Sequence, residues 1–155
     1  MTLSHICLGT NDPSCTERFY DALLATLGHA RCAGAEDTQS QAWRGWIVYR
    51  GARSEELTLW LCRPFDGRAA TAGNGTMVAF RARSWSEVER FHAAALAHGG
   101  TSEGAPGLRP QYGADFYVAY VRDPDGNKLA AYCRGFTQSQ AQAQADIRRA
   151  HSALK

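Results

Sequence analysis

Two stretches of this 155-residue chain read alike at an offset of about 72 residues, and a chain built from two copies of one unit has few ways to fold. The strand-like run His5-Ile6-Cys7-Leu8 leads, seven positions after His5, into Asp12; Met77-Val78-Ala79-Phe80 leads, seven positions after Met77, into Ser84. Asp and Ser are both residue types that open helices. Phe19 stands fourteen positions after His5 and Phe91 fourteen after Met77, and a helix-ending glycine follows twenty-three positions after each start, at Gly28 and Gly100. Further on, Leu59-Trp60-Leu61-Cys62-Arg63-Pro64-Phe65 matches Ala130-Ala131-Tyr132-Cys133-Arg134-Gly135-Phe136 at an offset of 71. One residue is therefore expected to have been gained or lost between the helices and these last strands.

The repeat sets the element order. Residues 2–10 alternate with period two, so His5, Cys7 and Gly9 face one side of a strand and Ile6, Leu8 and Thr10 the other, greasier side. Asp12 is expected to cap a helix with Pro13 in its first turn, the apolar spacing Cys15, Phe19, Leu23, Leu27 to line its inner face, and Gly28 to stop it. Short strands are expected near 29–33, 42–50 and 55–62, which makes the unit βαβββ. The Gly-, Ala- and Thr-rich residues 63–75 read as a linker rather than a packed element. The second unit begins with a strand at 76–83, and Ser84-Trp85-Ser86-Glu87 is a capping box for a helix that keeps Val88, Phe91 and Ala95 inward. A short strand near 100–104 is expected to lead into a loop at 104–114. Asp123-Pro124-Asp125-Gly126 then joins strands 115–122 and 127–134 as a tight hairpin.

Residues 1–136 therefore form one domain of two repeats, with module one at 2–63, a linker at 64–74 and module two at 75–136. A Gln/Ala-rich tail at 137–155 has helix propensity over 138–154 but few large apolar residues. It reads either as a frayed tail or as a helix docked on its own domain or on a neighbouring subunit.

A hydrophobic content of 45% is ample for such a core. The net charge of +2 comes from scattered residues and leaves no nucleic-acid footprint. No apolar run approaches the ~20 residues that span a bilayer, and the N-terminus lacks a signal-peptide pattern. The five cysteines, at 7, 15, 32, 62 and 133, show no zinc-finger or C-x-x-C spacing and suit a reduced compartment. A cytoplasmic protein is expected.

Two βαβββ units, a His at the start of the first strand and the Asp123-Pro124-Asp125-Gly126-Asn127-Lys128 hairpin resemble the vicinal oxygen chelate superfamily. It includes glyoxalase I, extradiol dioxygenases, and the bleomycin and fosfomycin resistance proteins. The resemblance covers residues 3–134, and Asn74–Arg81 and Tyr120–Lys128 look especially like its glyoxalase-related members. It implies an α+β fold in which the two modules form an eight-stranded open barrel, a C-terminal helix being added here, and it implies a homodimer. It also implies a metal held at the bottom of a cup by the first and last strands of each unit. Carried over, those positions are His5, Leu59, Met77 and Ala130, of which only His5 suits a hard or borderline divalent ion. No cofactor is therefore expected, a divalent metal held by other ligands being the alternative.

The cup is expected to bind a small, largely apolar organic molecule through His5, Cys7, Leu59, Leu61, Met77, Ala79, Arg81, Ala130 and Tyr132, with Arg109, Tyr112 and Tyr117 closing over it. His5 is the one catalytic candidate. It reads as a cavity-lining residue, as a substrate-binding group or general base, or as a ligand. Arg81 reads as the partner of a carboxylate or phosphate, or of a rim acidic residue. Cys7 lies roughly 7 Å along the strand from His5, too far for a Cys–His nucleophile pair. Three functional classes stay open: a divergent family member without the metal, a metal-dependent lyase or dioxygenase with ligands from elsewhere, and a protein that sequesters a drug or metabolite without turnover.

Overall fold

The computed structural model describes residues 3–32, 42–51 and 56–135, together with Gln142. The tail expected to be helical over 138–154 lies, apart from Gln142, outside the described residues, as does the loop between the second and third strands. Module one runs β1 (His5–Gly9), α1 (Pro13–Ala25), β2 (Ala30–Arg31), β3 (Arg44–Arg50) and β4 (Glu56–Cys62). Module two runs β5 (Val78–Arg81), α2 (Trp85–Ala97), β6 (Thr101–Leu108), a short 3-10 turn (Pro110–Tyr112), β7 (Tyr117–Arg122) and β8 (Lys128–Cys133). Each module folds into a four-stranded sheet of the same topology, in order β1-β4-β3-β2 and β5-β8-β7-β6. In each, the first strand pairs parallel with the last and the other pairs are antiparallel. The chain is α+β, with two βαβββ modules and an open cup.

The helix signals act as their chemistry demands. The Asp12 carboxylate accepts from the backbone N–H of Ser14 and Cys15, Pro13 occupies the first turn, and Gly28 takes φ +78° just beyond the end. Ser84 Oγ accepts from Glu87 N at 3.2 Å, while the Glu87 carboxylate reaches back one residue further than a standard capping box, to Arg83 N at 2.7 Å. Both helices lay their apolar stripe on the sheets. Phe19, Tyr20, Leu23 and Leu24 of α1 and Val88, Phe91 and Ala95 of α2 share one core with Leu59, Leu61, Leu129 and Ala131. Gly100 is required where the two modules meet, because a Cβ there would stand 2.6 Å from Arg122 O and 2.8 Å from the Phe19 ring.

Two regions differ from the sequence reading. The stretch expected as a loop from 104 is strand to Leu108. β6 is an edge strand that absorbs Gly104, Pro106 and Gly107 through register shifts, so the missing Pro donor is not needed by a neighbour. The linker is mostly exposed, as a linker would be, but it is pinned to module one at Ala70 and so acts as a strap. The Asn11 carboxamide accepts from Ala70 N at 2.8 Å and donates to Ala70 O at 3.1 Å, as a strand neighbour would, and Ala70 lies against Gly9, where a Cβ would meet it at 2.9 Å.

The Asp123–Gly126 hairpin forms as expected, with Gly126 at φ +89° and Asp123 Oδ1 accepting from Asp125 N and Asn127 N. Its polar side chains do more than turn the chain. Asp123 accepts from the buried Tyr20 hydroxyl at 2.8 Å, and Asn127 donates to Gly9 O at 3.0 Å. Asp125 accepts from Thr10, Thr16 and both nitrogens of Asn11. Every one of these partners belongs to module one, so the hairpin bolts the two halves together.

Candidate functional site

Strand alternation assigns each side chain a face. On β1, Ile6 and Leu8 pack toward the helices, leaving His5 and Cys7 exposed on the opposite, concave face. On β5, Phe80 enters the core, so Ala79 and Arg81 project into the cup; on β8, Leu129, Ala131 and Cys133 enter the core, so Lys128, Ala130 and Tyr132 lie on the cup face. Met77 precedes β5 and is 47% exposed. The structure therefore brings His5, Cys7, Ala79, Arg81, Ala130 and Tyr132 to the face expected of them.

Leu59 and Leu61 do not belong with them. Both are essentially fully buried among the helices, and the cup face of β4 carries Thr58, Trp60 and Cys62 instead. Sheet register shows why. Ile6 pairs with Leu59 in module one and Val78 with Leu129 in module two, so the last strands correspond at an offset of 70, not 71. A shift of one residue turns every side chain to the other face. Because Cys7 pairs with Trp60 and Ala79 with Ala130, the residue equivalent to Ala130 is Trp60. The four positions thus present an imidazole, an indole, a thioether and a methyl group. Among the described residues, no three His, Cys, Asp or Glu side chains gather where they could hold a metal ion.

Of the three residues expected to close over the guest, Tyr117 is the one the structure corrects. Tyr117 points to the helix side, where it stacks on Trp85 with centroids 4.1 Å apart and donates to Glu89 at 3.1 Å. Burial and the Glu89 carboxylate push its phenol up to about 12. Arg109 is folded back over Gly104 and Gly107, donates to Ala105 O and Leu108 O, and lies over the Tyr120 ring at 6.0 Å, so part of its donor set is taken by its own strand. Tyr112 is exposed at the rim, where its ring meets Phe116 edge-on and its carbonyl accepts from Arg134 at 3.3 Å.

Apart from Tyr132, sequence reasoning missed the aromatic residues that line the site. Trp60 lies across Gly45, its partner on β3, so closely that a Cβ on Gly45 would stand 2.5 Å from the indole, and Trp43 packs edge-on against it at 6.0 Å. Module two repeats the device. Tyr120 pairs with Gly104 of β6, where a Cβ would stand 2.9 Å from the ring. Beside it, Phe116 stacks on Tyr132 at 5.5 Å. The signal was present as aromatic residues opposite glycines, but it becomes readable only once register is known.

The polar groups of this face are mostly engaged. Arg122 and Lys128 both bind Glu103, and Arg134 lies over Phe116 at 4.8 Å and pairs with Asp115. His5 Nδ1 is 2.8 Å from Ser4 Oγ, so its near hydrogen-bond partner is a neighbouring hydroxyl rather than Cys7. Cys7 and Cys62 border a cleft of about 350 Å³ beneath the strap. Burial pushes both thiols up, and the neighbouring Cys7 pushes Cys62 further, so neither is primed as a thiolate nucleophile at neutral pH. Arg81 has no hydrogen-bond or ion-pair partner among the described residues.

Comparison with known proteins gives this arrangement its relatives. A family model described as the Glyoxalase/Bleomycin resistance protein/Dioxygenase superfamily matches residues 2–131. No curated protein matches the chain. Among solved structures, a glyoxalase/bleomycin resistance protein from Albidiferax ferrireducens is 36% identical, with a TM-score of 0.70 over 87% of this chain and 100% of that one. A mutant fosfomycin resistance protein from Listeria monocytogenes, complexed with Mn(II) and dihydroxypropylphosphonic acid, shares the fold at 16% identity, with a TM-score of 0.60 over 89% of this chain and 94% of that one. Lactoylglutathione lyase from Agrobacterium tumefaciens does so at 20% identity, with a TM-score of 0.56 over 85% and 92%. With the matching model spanning nearly the whole described fold and a solved relative at 36% identity agreeing in shape, the chain belongs to the Glyoxalase/Bleomycin resistance protein/Dioxygenase superfamily.

Proposed function

We propose that the cup binds a small, largely apolar organic molecule without the divalent metal of the superfamily, and either transforms it or sequesters it. The observation that carries this reading is the corrected set of strand positions, His5, Trp60, Met77 and Ala130. A divalent Zn, Ni, Fe or Mn centre wants imidazole and carboxylate donors, and one imidazole beside an indole, a thioether and a methyl group does not fit it. What replaces the donors is suited to an organic ligand: the Trp60 ring and the Phe116–Tyr132 stack give flat aromatic walls, Arg109 and Lys128 lie over the Tyr120 ring, and few polar groups are left free to orient a guest. We read the protein as a cytoplasmic homodimer, in keeping with the edge strands β1 and β5, which leave Cys7, Met77 and Ala79 uncovered. No helix among the described residues is long and apolar enough to cross a membrane.

Elemental analysis of untagged, dialysed protein tests the reading directly. Far less than one transition metal per chain is expected, and chelators should leave the melting temperature unchanged. About one Zn, Ni, Fe or Mn per chain, lost together with stability on chelation, would instead establish a metal-dependent lyase or dioxygenase with ligands from elsewhere. Turnover of a bound ligand separates an enzyme from a sequestering protein.

A further inference from the structure

Among the described residues, the charges of the cup in module two are accounted for one by one, with a single exception. Arg122 and Lys128 share Glu103, Arg134 is held by Asp115 and the Phe116 ring, and Arg109 donates to the carbonyls of Ala105 and Leu108. Arg81 stands on the same face, exposed, on the open edge strand β5, and no described carboxylate or carbonyl meets it. Its strand register places it directly opposite Tyr132, whose ring stacks on Phe116 at 5.5 Å with an interplanar angle of 27°. A guanidinium with its donor fork unused, standing at the edge of an aromatic pair, is a recognition element for a planar molecule that ends in an anion. Module one lacks the counterpart: at the offset of 72, Arg81 corresponds to Gly9, which Ala70 of the strap covers. The cup is therefore asymmetric in charge.

We propose that the ligand is an aromatic organic anion, a carboxylate or phosphonate whose charged group pairs with Arg81 while its ring lies on the Phe116–Tyr132 pair. This rests on the cup being the binding site, and it adds the polarity and orientation of the guest. An anion brought to Arg81 loses little by leaving water only if both its oxygens are met, which the planar fork does and an ammonium does not.

Probes that share one ring test it: 1-naphthoate, 1-naphthylphosphonate and the neutral 1-naphthamide, titrated calorimetrically into the full-length protein and into Arg81→Met and Arg81→Lys. Arg81→Met keeps the apolar stem at an exposed site, and unchanged melting confirms that it folds. We expect at least one of the two anions to bind about tenfold more tightly than the amide, a preference lost in Arg81→Met and partly kept in Arg81→Lys. Which anion shows the preference identifies the group. Equal affinity for anions and amide, or a preference that survives Arg81→Met, overturns the assignment of Arg81 while leaving the cup as an organic-ligand site. Failure of all three probes to bind overturns both.

Discussion

Asp125 offers the sharpest test of how the two modules are held together. Its carboxylate lies between them and accepts from Thr10 Oγ1 at 2.6 Å, Thr16 Oγ1 at 3.2 Å, and Asn11 N and Nδ2 at 2.9 Å each. Hydrogen bonds to an ionised group contribute about 1.5–3 kcal/mol each. The four do not add. Asn11 is exposed, and water can replace the carboxylate there at little cost. Thr10 and Thr16 are each 1% exposed and have no water to turn to, but their hydroxyls lie 2.6 Å apart and can still bond to each other. Asp125→Ala should therefore lose roughly one to two charge-assisted bonds, about 3 kcal/mol. For a chain of this size that lowers the melting temperature by about 6–12 °C. Asp125→Asn, which keeps one acceptor oxygen and loses the charge, should cost about half as much. Urea unfolding with an unchanged m-value measures both. Thr10→Val in the same cycle should show coupling to Asp125 of about 1 kcal/mol or more. If Asp125→Ala falls within about 0.5 kcal/mol of wild type, the hairpin is only a turn and the account of the bolt fails.

Three further outcomes follow from the register, from titration and from the exposed edges. Leu59→Glu should destabilise the fold by several kcal/mol or abolish it, because it drives a charge among the helices, whereas Trp60→Glu should cost markedly less; equal losses would return the last strand of module one to the other face. His29 is held below its ordinary value, first by burial and then by the Arg83 guanidinium, so the unfolded chain binds the proton more readily. Its contribution to stability is complete above the unfolded value of 6.5 and is lost as pH falls through the lower folded value. Urea midpoints measured from pH 7 to 5 should therefore fall less steeply in His29→Gln, and parallel slopes would refute the assignment. Light scattering at micromolar concentration should give about twice the 16.9 kDa of one chain, and a monomer would remove the dimer from the proposed function.

Much of the fold was legible because its signals are local. Asp12, Pro13, Gly28 and Ser84 act within a few residues of themselves, and Asp123–Gly126 closes on its own backbone. The site was legible where one face of a strand is plainly greasier, as on β1. On β4 it was not, since Leu57, Leu59 and Leu61 alternate with Thr58, Trp60 and Cys62, and a cup lined with apolar groups removes the polar face that normally declares the register. The Cys-Arg-x-Phe match then misled by one residue, because it extends past the strand ends into the strap on one side and toward the tail on the other. Gly104, Pro106 and Gly107 read as loop because bulges depend on a partner strand. The bolting role of Asp125 was invisible for a plainer reason: Thr10 lies 115 residues away.

The pairing of an aromatic residue with a glycine on the adjacent strand, made once in each module, bears on how binding is paid for in entropy. Trp60 fills the volume that a Gly45 side chain would occupy, and Tyr120 does the same over Gly104. A ring seated in such a notch has few rotamers left to lose, so its ordering cost is met during folding and not when a guest arrives. The cup should accordingly keep one shape whether empty or filled. Selectivity would then come from the outline of a rigid mould, and ligands that differ by a single ring substituent should be told apart by whether they fit it.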